Sequence, residues 1–395
     1  MKPESKYLKL AVAFAFVLGL MAAENPRAQA QTLSVVHDFT GGSDGGYSVN
    51  GLIMNPGGAL FGTASSGGTS NNGVVFKITT AGAEIVLHSF AGGSDGAAPN
   101  AGVIRSKSGI FYGTTTAGGT YGKGIVFQLI GSKETVLYSF AGGTDGATPE
   151  ANLALDAAGN LYGTTSAGGA KGNGTVFKLA APKAGKWTES VLYSFGAGTD
   201  GATPVGGVSL DASGNLYGTT SAGGTYGLGT VFKLTPGIVW TETILHNFQN
   251  GDDGAVPYAD LIADTLGNFY GAATEGGANG GGTVFKLTPS NGSWNFSVLY
   301  SVPGWGISGS FGNVILDTTG KIYGTTHCDG AYNAGTIYEL TPSGGTWSYT
   351  QLYNFTGGND GQYSFGNLVV KQGKLYGTTK YAGTHGEGTI FALTP

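Results

Sequence analysis

The sequence predicts an all-β fold: a seven-bladed β-propeller of four-stranded antiparallel blades. Three observations carry this expectation. A landmark of the Leu-Tyr-Gly-Thr-Thr type recurs, with its glycine at Gly62, Gly113, Gly163, Gly218, Gly271, Gly324 and Gly377. The spacing is 50–55 residues throughout, which suits one blade per repeat. Each repeat holds four short runs rich in β-branched and aromatic residues, divided by Gly, Asn and Asp turns. Finally, the two ends are complementary. The segment over residues 33–39 reads like the fourth strand of a repeat, and residues 389–393 read like the third. Placing the early strand beside the late one completes the last blade and closes the ring. It also removes the open edges that an unclosed array would leave. An open solenoid is the runner-up, but it would call for polar caps instead.

The elements follow in order. Lys2, Lys6 and Lys9 precede an apolar run over residues 10–23, and Ala28-Gln29-Ala30 follows. This is the pattern of a secretory signal peptide over residues 1–30, cut after Ala30. The run is shorter than the roughly 20 residues that span a bilayer. Residues 31–395 are then expected to form one propeller of seven repeats of about 52 residues each, with no transmembrane segment. The third repeat shows the plan. A first strand over residues 151–156 meets a turn at Asp156-Ala157-Ala158-Gly159-Asn160, where Gly and Asn supply positive φ. A second strand covers 161–165, and a Gly-rich loop covers 166–174. A third strand covers 175–179, a fourth 187–195, and a loop through Asp200-Gly201 enters the next repeat. Trp187, Trp240, Trp294 and Trp347 all open fourth strands, a place that suits blade packing.

Composition agrees with a turn-dense β protein. Glycine supplies 75 of 395 residues, against 13 prolines, and charged residues are only 11%. The glycines have no three-residue period, which excludes collagen. Hydrophobic residues reach 40% and the net charge is −5, which excludes a disordered chain. Without the first 30 residues, 15 basic and 22 acidic side chains remain, so no nucleic-acid footprint exists. Cys328 is the single cysteine, so no intrachain disulfide can form.

The motifs Leu-Tyr-Gly-Thr-Thr, Gly-Gly-x-x-Gly-x-Gly-Thr-Val-Phe-Lys-Leu and Leu-Tyr-Ser-Phe-x-Gly-Gly-x-Asp-Gly resemble the extracellular tandem repeat of Gloeobacter–Verrucomicrobia type. The resemblance covers residues 32–395. It implies secreted bacterial proteins with interchangeable C-terminal anchors, and it implies no activity. This chain shows no such anchor. The expected location is extracellular or periplasmic.

In a four-stranded meander, the loop after the second strand and the loop into the next repeat share one face. The inter-repeat loop carries Asp44, Asp95, Asp145, Asp200, Asp253 and Asp360, each followed by Gly. These could ring the face as carboxylates for cations or sugar hydroxyls. Each is better explained as the cap of its own turn. Calcium would accept such oxygens, but it wants six to eight at one point, and one Asp per blade spreads them. No cofactor or metal is therefore expected. The other loop varies at one place, presenting Ser70, Tyr121, Lys171, Tyr226, Asn279, Tyr332 and His385. A changing position on a constant frame is how a binding rim looks, and Tyr121, Tyr226 and Tyr332 suit contact with sugars or peptides. Trp305 breaks the pattern of the inter-repeat loop and is a further candidate contact.

His37, His88 and His246 stand where other repeats have Tyr138, Tyr193, Tyr300 and Tyr353, a structural position on the outer strand. His327-Cys328-Asp329 departs from the repeat near Trp305. Three adjacent residues cannot converge on one ion, so drift of the repeat accounts for them. No nucleophile elbow, zinc-protease helix or phosphate loop is present. The expected function is a secreted, monomeric, non-enzymatic module that binds an extracellular carbohydrate or protein. The alternative is a glycan-active hydrolase or lyase using carboxylates on the Gly/Asp face, an idea resting on fold analogy.

Overall fold

The computed structural model describes residues 31–48, 51–182, 185–304, 309 and 312–395. The expected signal peptide and Trp305 lie outside the described residues. Seven four-stranded antiparallel sheets follow one another along the chain. Blades 1 to 6 cover residues 53–89, 104–139, 154–194, 209–247, 262–303 and 315–354. Blade 7 takes three strands from residues 369–394 and its outer strand from Thr32–Asp38. That strand pairs antiparallel with Thr389–Thr394, from Thr32 opposite Thr394 to Asp38 opposite Thr389. The ring thus closes through the complementary ends. Helix is confined, among the described residues, to one 3-10 turn at Gly93–Asp95.

The third blade shows how sequence sets each strand. Its strands are Ala154–Leu155, Leu161–Thr165, Thr175–Ala180 and Thr188–Ser194. The first is far shorter than the run over 151–156 predicts. Residues before Ala154 are drawn towards the ring axis, where they meet other blades instead of a ladder partner. The second strand is buried along its whole length, and the glycine of the landmark explains why it must be glycine. A Cβ on Gly163 would lie 2.7 Å from Phe177 Cζ and 2.9 Å from Leu153 Cδ2. The Phe ring of the third strand lies across that gap, and the same clash recurs at Gly218 with Phe232.

Blades pack face to face through repeated aromatic pairs. Phe140, at the end of one outer strand, meets Phe177 of the next blade edge-on, with ring centres 5.1 Å apart. Phe39–Phe76, Phe90–Phe127, Phe195–Phe232, Phe248–Phe285 and Phe355–Phe391 repeat the contact. All twelve rings are fully buried. Such pairs contribute about 0.5–1.5 kcal/mol each beyond area burial. In each blade the pairing of third and outer strands carries a bulge, as between Val176 and Phe177. A bulge re-aims side chains and tightens twist, and here it precedes the Tyr193 that reaches the inter-blade loop.

A second device ties neighbouring blades together. Thr148 adopts a positive φ of 57°. Its N–H donates to Lys123 O of the preceding blade, 3.0 Å away, and its carbonyl accepts from Ser166 N at 3.1 Å. Tyr47, Ala98, Thr203, Val256 and Tyr363 hold the same left-handed conformation at the same place. Each donates to a loop of the preceding blade.

Candidate functional site

In six blades the two Gly-rich loops share one face and are bonded together. Short antiparallel bridges join Gly46 to Ser66, Ala97 to Ala117, Ala147 to Ala167, Ala255 to Glu275 and Gln362 to Tyr381. Gly201 and Ala202 pair with Gly223 and Ala222 in the same way.

The acids of this face are turned into their own loops. Asp145 accepts from Ala141 N at 2.6 Å and from Tyr138 Oη at 2.8 Å. Asp200 accepts from Gly196 N at 2.5 Å and Tyr193 Oη at 3.2 Å. Asp360 accepts from Thr356 N at 2.8 Å and Tyr353 Oη at 3.0 Å. Asp44 accepts from Thr40 N at 2.9 Å and Asp95 from Ala91 N at 2.6 Å. Asp253 accepts from Gln249 N at 3.2 Å and bonds His246 Nε2 at 2.9 Å. The residue seven places earlier, Tyr or His on the outer strand, thus bonds Asp145, Asp200, Asp253 and Asp360, while His37 and His88 stand 3.4 and 3.3 Å from Asp44 and Asp95 outside hydrogen-bond geometry.

A glutamate of the next blade approaches four of these aspartates. Glu84 faces Asp44, Glu134 faces Asp95, Glu189 faces Asp145 and Glu242 faces Asp200. Burial, reinforced by the facing Asp, pushes Glu84, Glu134 and Glu189 up to about 7 and Glu242 up to about 8. At the next junction the glutamate position holds Phe296, which stacks on His246 with ring centres 3.7 Å apart. Tyr349 stacks likewise on Tyr300 at 4.3 Å.

The variable rim stands at the periphery. Its loops are fastened to the outer strands by Thr120 N to Ser139 Oγ at 3.0 Å and Thr225 N to Asn247 Oδ1 at 2.8 Å. Tyr121, Tyr226 and Tyr332 are 60%, 54% and 61% exposed, although all are large and aromatic. Lys171 is exposed beside Gly196. His385 is exposed and lies 3.4 Å from Asp38.

The innermost strands converge on the ring axis. Asn152 Nδ2 donates to Asp260 Oδ2 at 3.1 Å, joining blades that are not neighbours. Asn313 Nδ2 reaches the same oxygen at 2.7 Å, and Gly207 N donates to Asp260 Oδ1 at 2.5 Å. Asn313 N donates to Asn367 Oδ1 at 2.9 Å. The carboxylate at the axis is thus occupied by amides on both oxygens.

Above this ring, on the glycine-rich face, the repeat is broken in one sector. Most blades place Ser, Thr and Ala after the landmark; blades 6 and 7 place His327 and Lys380-Tyr381. His327 packs on Tyr363 at 4.3 Å and Phe365 at 4.5 Å between ring centres. Lys380 Nζ lies 5.1 Å from the ring centres of both Phe365 and Tyr381. Tyr381 also meets Tyr47 at 5.4 Å and Tyr363 at 6.0 Å. Burial, followed by the charges of Glu150 and Glu275, holds the Tyr258 hydroxyl above its usual range. Ser166 Oγ donates to Glu150 Oε1 at 2.8 Å.

The Gloeobacter/Verrucomicrobia repeat model matches residues 50–264 and 206–395. The chain belongs to this repeat family. No curated protein is similar to it. Among solved structures, the GH74 xyloglucanase of Xanthomonas campestris shares the fold at TM-score 0.55 and 14% identity, over 89% of this chain and 52% of that one. A Bacteroides uniformis protein proposed to be a 6-phosphogluconolactonase gives TM-score 0.53 and 15% identity, over 81% and 88% of the two chains. A puromycin-hydrolyzing peptidase of Mycobacterium tuberculosis gives 0.51 and 11%, over 83% and 48%. These likenesses concern the fold alone.

In this Gloeobacter/Verrucomicrobia repeat, sequence reasoning located the rim and the acids but missed the mouth cluster. A signal existed. His327 departs from the repeat, and so do Lys380 and Tyr381 one blade later. Only the closure of the ring brings those positions to Tyr363, Phe365 and Tyr47. Asp329 is turned into its own loop towards Thr326, and burial holds its carboxyl above the usual range.

Proposed function

We propose that this propeller is a non-enzymatic module that binds an extracellular polysaccharide on its glycine-rich face. The observation that carries the reading is the mouth cluster of Tyr47, His327, Tyr363, Phe365, Lys380 and Tyr381. It gathers flat apolar rings and a cation in one sector, where most blades present only small residues. Sugar rings offer C–H faces to such aromatics and hydroxyls to such polar tips. Tyr121, Tyr226 and Tyr332 extend the contact along the rim of the same face. Trp305, an off-pattern residue in the sequence of an inter-repeat segment, is a further candidate. The rim acids Asp145, Asp200, Asp253 and Asp360 are committed to their turns and serve the frame, whereas Asp95 gives its turn only one oxygen. Secretion through the segment over residues 1–30 is part of the proposal. Among the described residues, no helix is long and apolar enough to cross a membrane.

The test is retention on immobilised plant and bacterial polysaccharides. The wild type is expected to bind at least one, and Tyr381→Ala to weaken it about tenfold, the scale of one aromatic contact. Retention on none, or equal retention of the variant, overturns the reading. A hydrolase is the second reading because Glu150 and Glu275 are two carboxylates whose charges both reach Tyr258. Glycoside hydrolysis needs two carboxyls flanking the bond. Reducing ends released by the wild type, and lost in both Glu150→Gln and Glu275→Gln, would support it.

A further inference from the structure

We propose that His88, Asp95 and Glu134 form a binding site for one zinc-type divalent ion at the junction of blades 1 and 2. Each residue comes from a different element. His88 lies on the outer strand Glu84–Ser89, Asp95 in the loop that follows, and Glu134 on the outer strand Lys133–Ser139 of the next blade. One donor atom from each lies within 4.8 Å of the other two. Among the described residues this is the one group of three such donors so closely spaced.

The molecule supplies its own comparison. Where the position of His88 holds Tyr, the phenol donates to the acids. Tyr138 reaches Asp145 at 2.8 Å, and Tyr193 reaches Asp200 and Glu242 at 3.2 Å each. Where a His faces no glutamate, it bonds its Asp directly, as His246 does at 2.9 Å beside Phe296. His88 does neither. Its Nε2 lies 3.3 Å from Asp95 Oδ1 outside hydrogen-bond geometry. That nitrogen and Glu134 Oε1 are both buried atoms with no hydrogen-bond partner among the described residues; His37 Nε2 and Glu84 Oε1 repeat this at the junction of blades 7 and 1, but only at His88 do all three donors come within 4.8 Å of one another. Asp95 uses Oδ2 for Ala91 N and leaves Oδ1 directed at the imidazole.

Two carboxylates and an imidazole, half-buried and unsatisfied together, call for a positive charge. A divalent ion supplies it and takes all three atoms as ligands. One nitrogen and two carboxylate oxygens match the donor chemistry of zinc, with a water completing the tetrahedron. Calcium is a poorer fit, since it seeks six to eight oxygens. Phe90 holds the imidazole edge-on at 4.7 Å between ring centres, so the ligand is already oriented.

The experiment uses the full chain without an affinity tag, treated with chelator and exchanged into metal-free buffer at pH 7.5. Zinc chloride is titrated by calorimetry and followed by melting temperature. One ion per chain and a rise in melting temperature are expected, with no rise from the same concentration of calcium chloride. His88→Tyr adopts the side chain that other blades already carry here, so it preserves the fold, as an unchanged metal-free melting temperature will show. Glu134→Gln keeps shape and removes charge. Each is expected to cut zinc affinity at least tenfold, while His246→Tyr leaves it unchanged. No saturable binding by the wild type overturns the proposal. So does binding that survives undiminished in either His88→Tyr or Glu134→Gln.

Discussion

At Gly163 the backbone passes so close to Phe177 that a single methyl group has no room. Gly163→Ala should therefore destabilise the fold by about 1–3 kcal/mol, the cost of overpacking a dense core. Chemical denaturation would measure it. The opposite sign is expected at Val256, a β-branched residue held at φ 55°. Relief of such strain is worth about 1–3 kcal/mol, and glycine gives back about 0.5–1 in the entropy of the unfolded chain. Val256→Gly should thus raise stability by about 1 kcal/mol, seen as a higher melting temperature. Asp145→Ala removes the partner of Ala141 N and Tyr138 Oη and should cost about 1–3 kcal/mol. Its polysaccharide retention should match the wild type, because the carboxylate serves the turn. Lost retention in a folded variant would contradict that assignment.

The outer strand and the loop that follows it form a titratable element. At the junctions closed by tyrosine, Glu189 faces Asp145 and Tyr138, and Glu242 faces Asp200 and Tyr193. Burial, with the facing Asp, raises Glu189 to about 7 and Glu242 to about 8. An acid with a raised folded value binds its proton more tightly when folded. Its stabilisation is complete below its unfolded value near 4.5 and is lost as pH rises through about 7 to 8. Stability should fall across that window by about 1 kcal/mol per pair once solvent screening is allowed for. Glu189→Gln with Glu242→Gln should flatten the slope in a series of melts from pH 4.5 to 8.5. Strands of this element were legible in sequence because their aromatic and β-branched runs alternate between Gly turns. The facing glutamates were not. They sit about 40 residues from their aspartates, and only the stacking of blades brings the two together.

Across the whole ring, the blade number and the closing strand were readable because the landmark glycine has a regular period and the two ends complement each other. The mouth was not readable, since Tyr47, His327, Phe365 and Tyr381 lie in three blades and no spacing relates them. Ring closure is expected to hold the molecule together. Deleting residues 32–38 exposes the edge of Thr389–Thr394, a strand otherwise buried, and such edges recruit other chains. Light scattering should show association, and calorimetry a lower and broader melt.

The register of that closing pair has a mechanical consequence. Thr32 lies opposite Thr394, so both ends of the chain leave the ring at the same end of one antiparallel ladder. Force applied between the two ends loads its hydrogen bonds one after another, as a zip is opened. Force applied through one end alone leaves the ladder unloaded. A propeller of this design resists flow when tethered at a single point, and it opens under low tension when pulled between two.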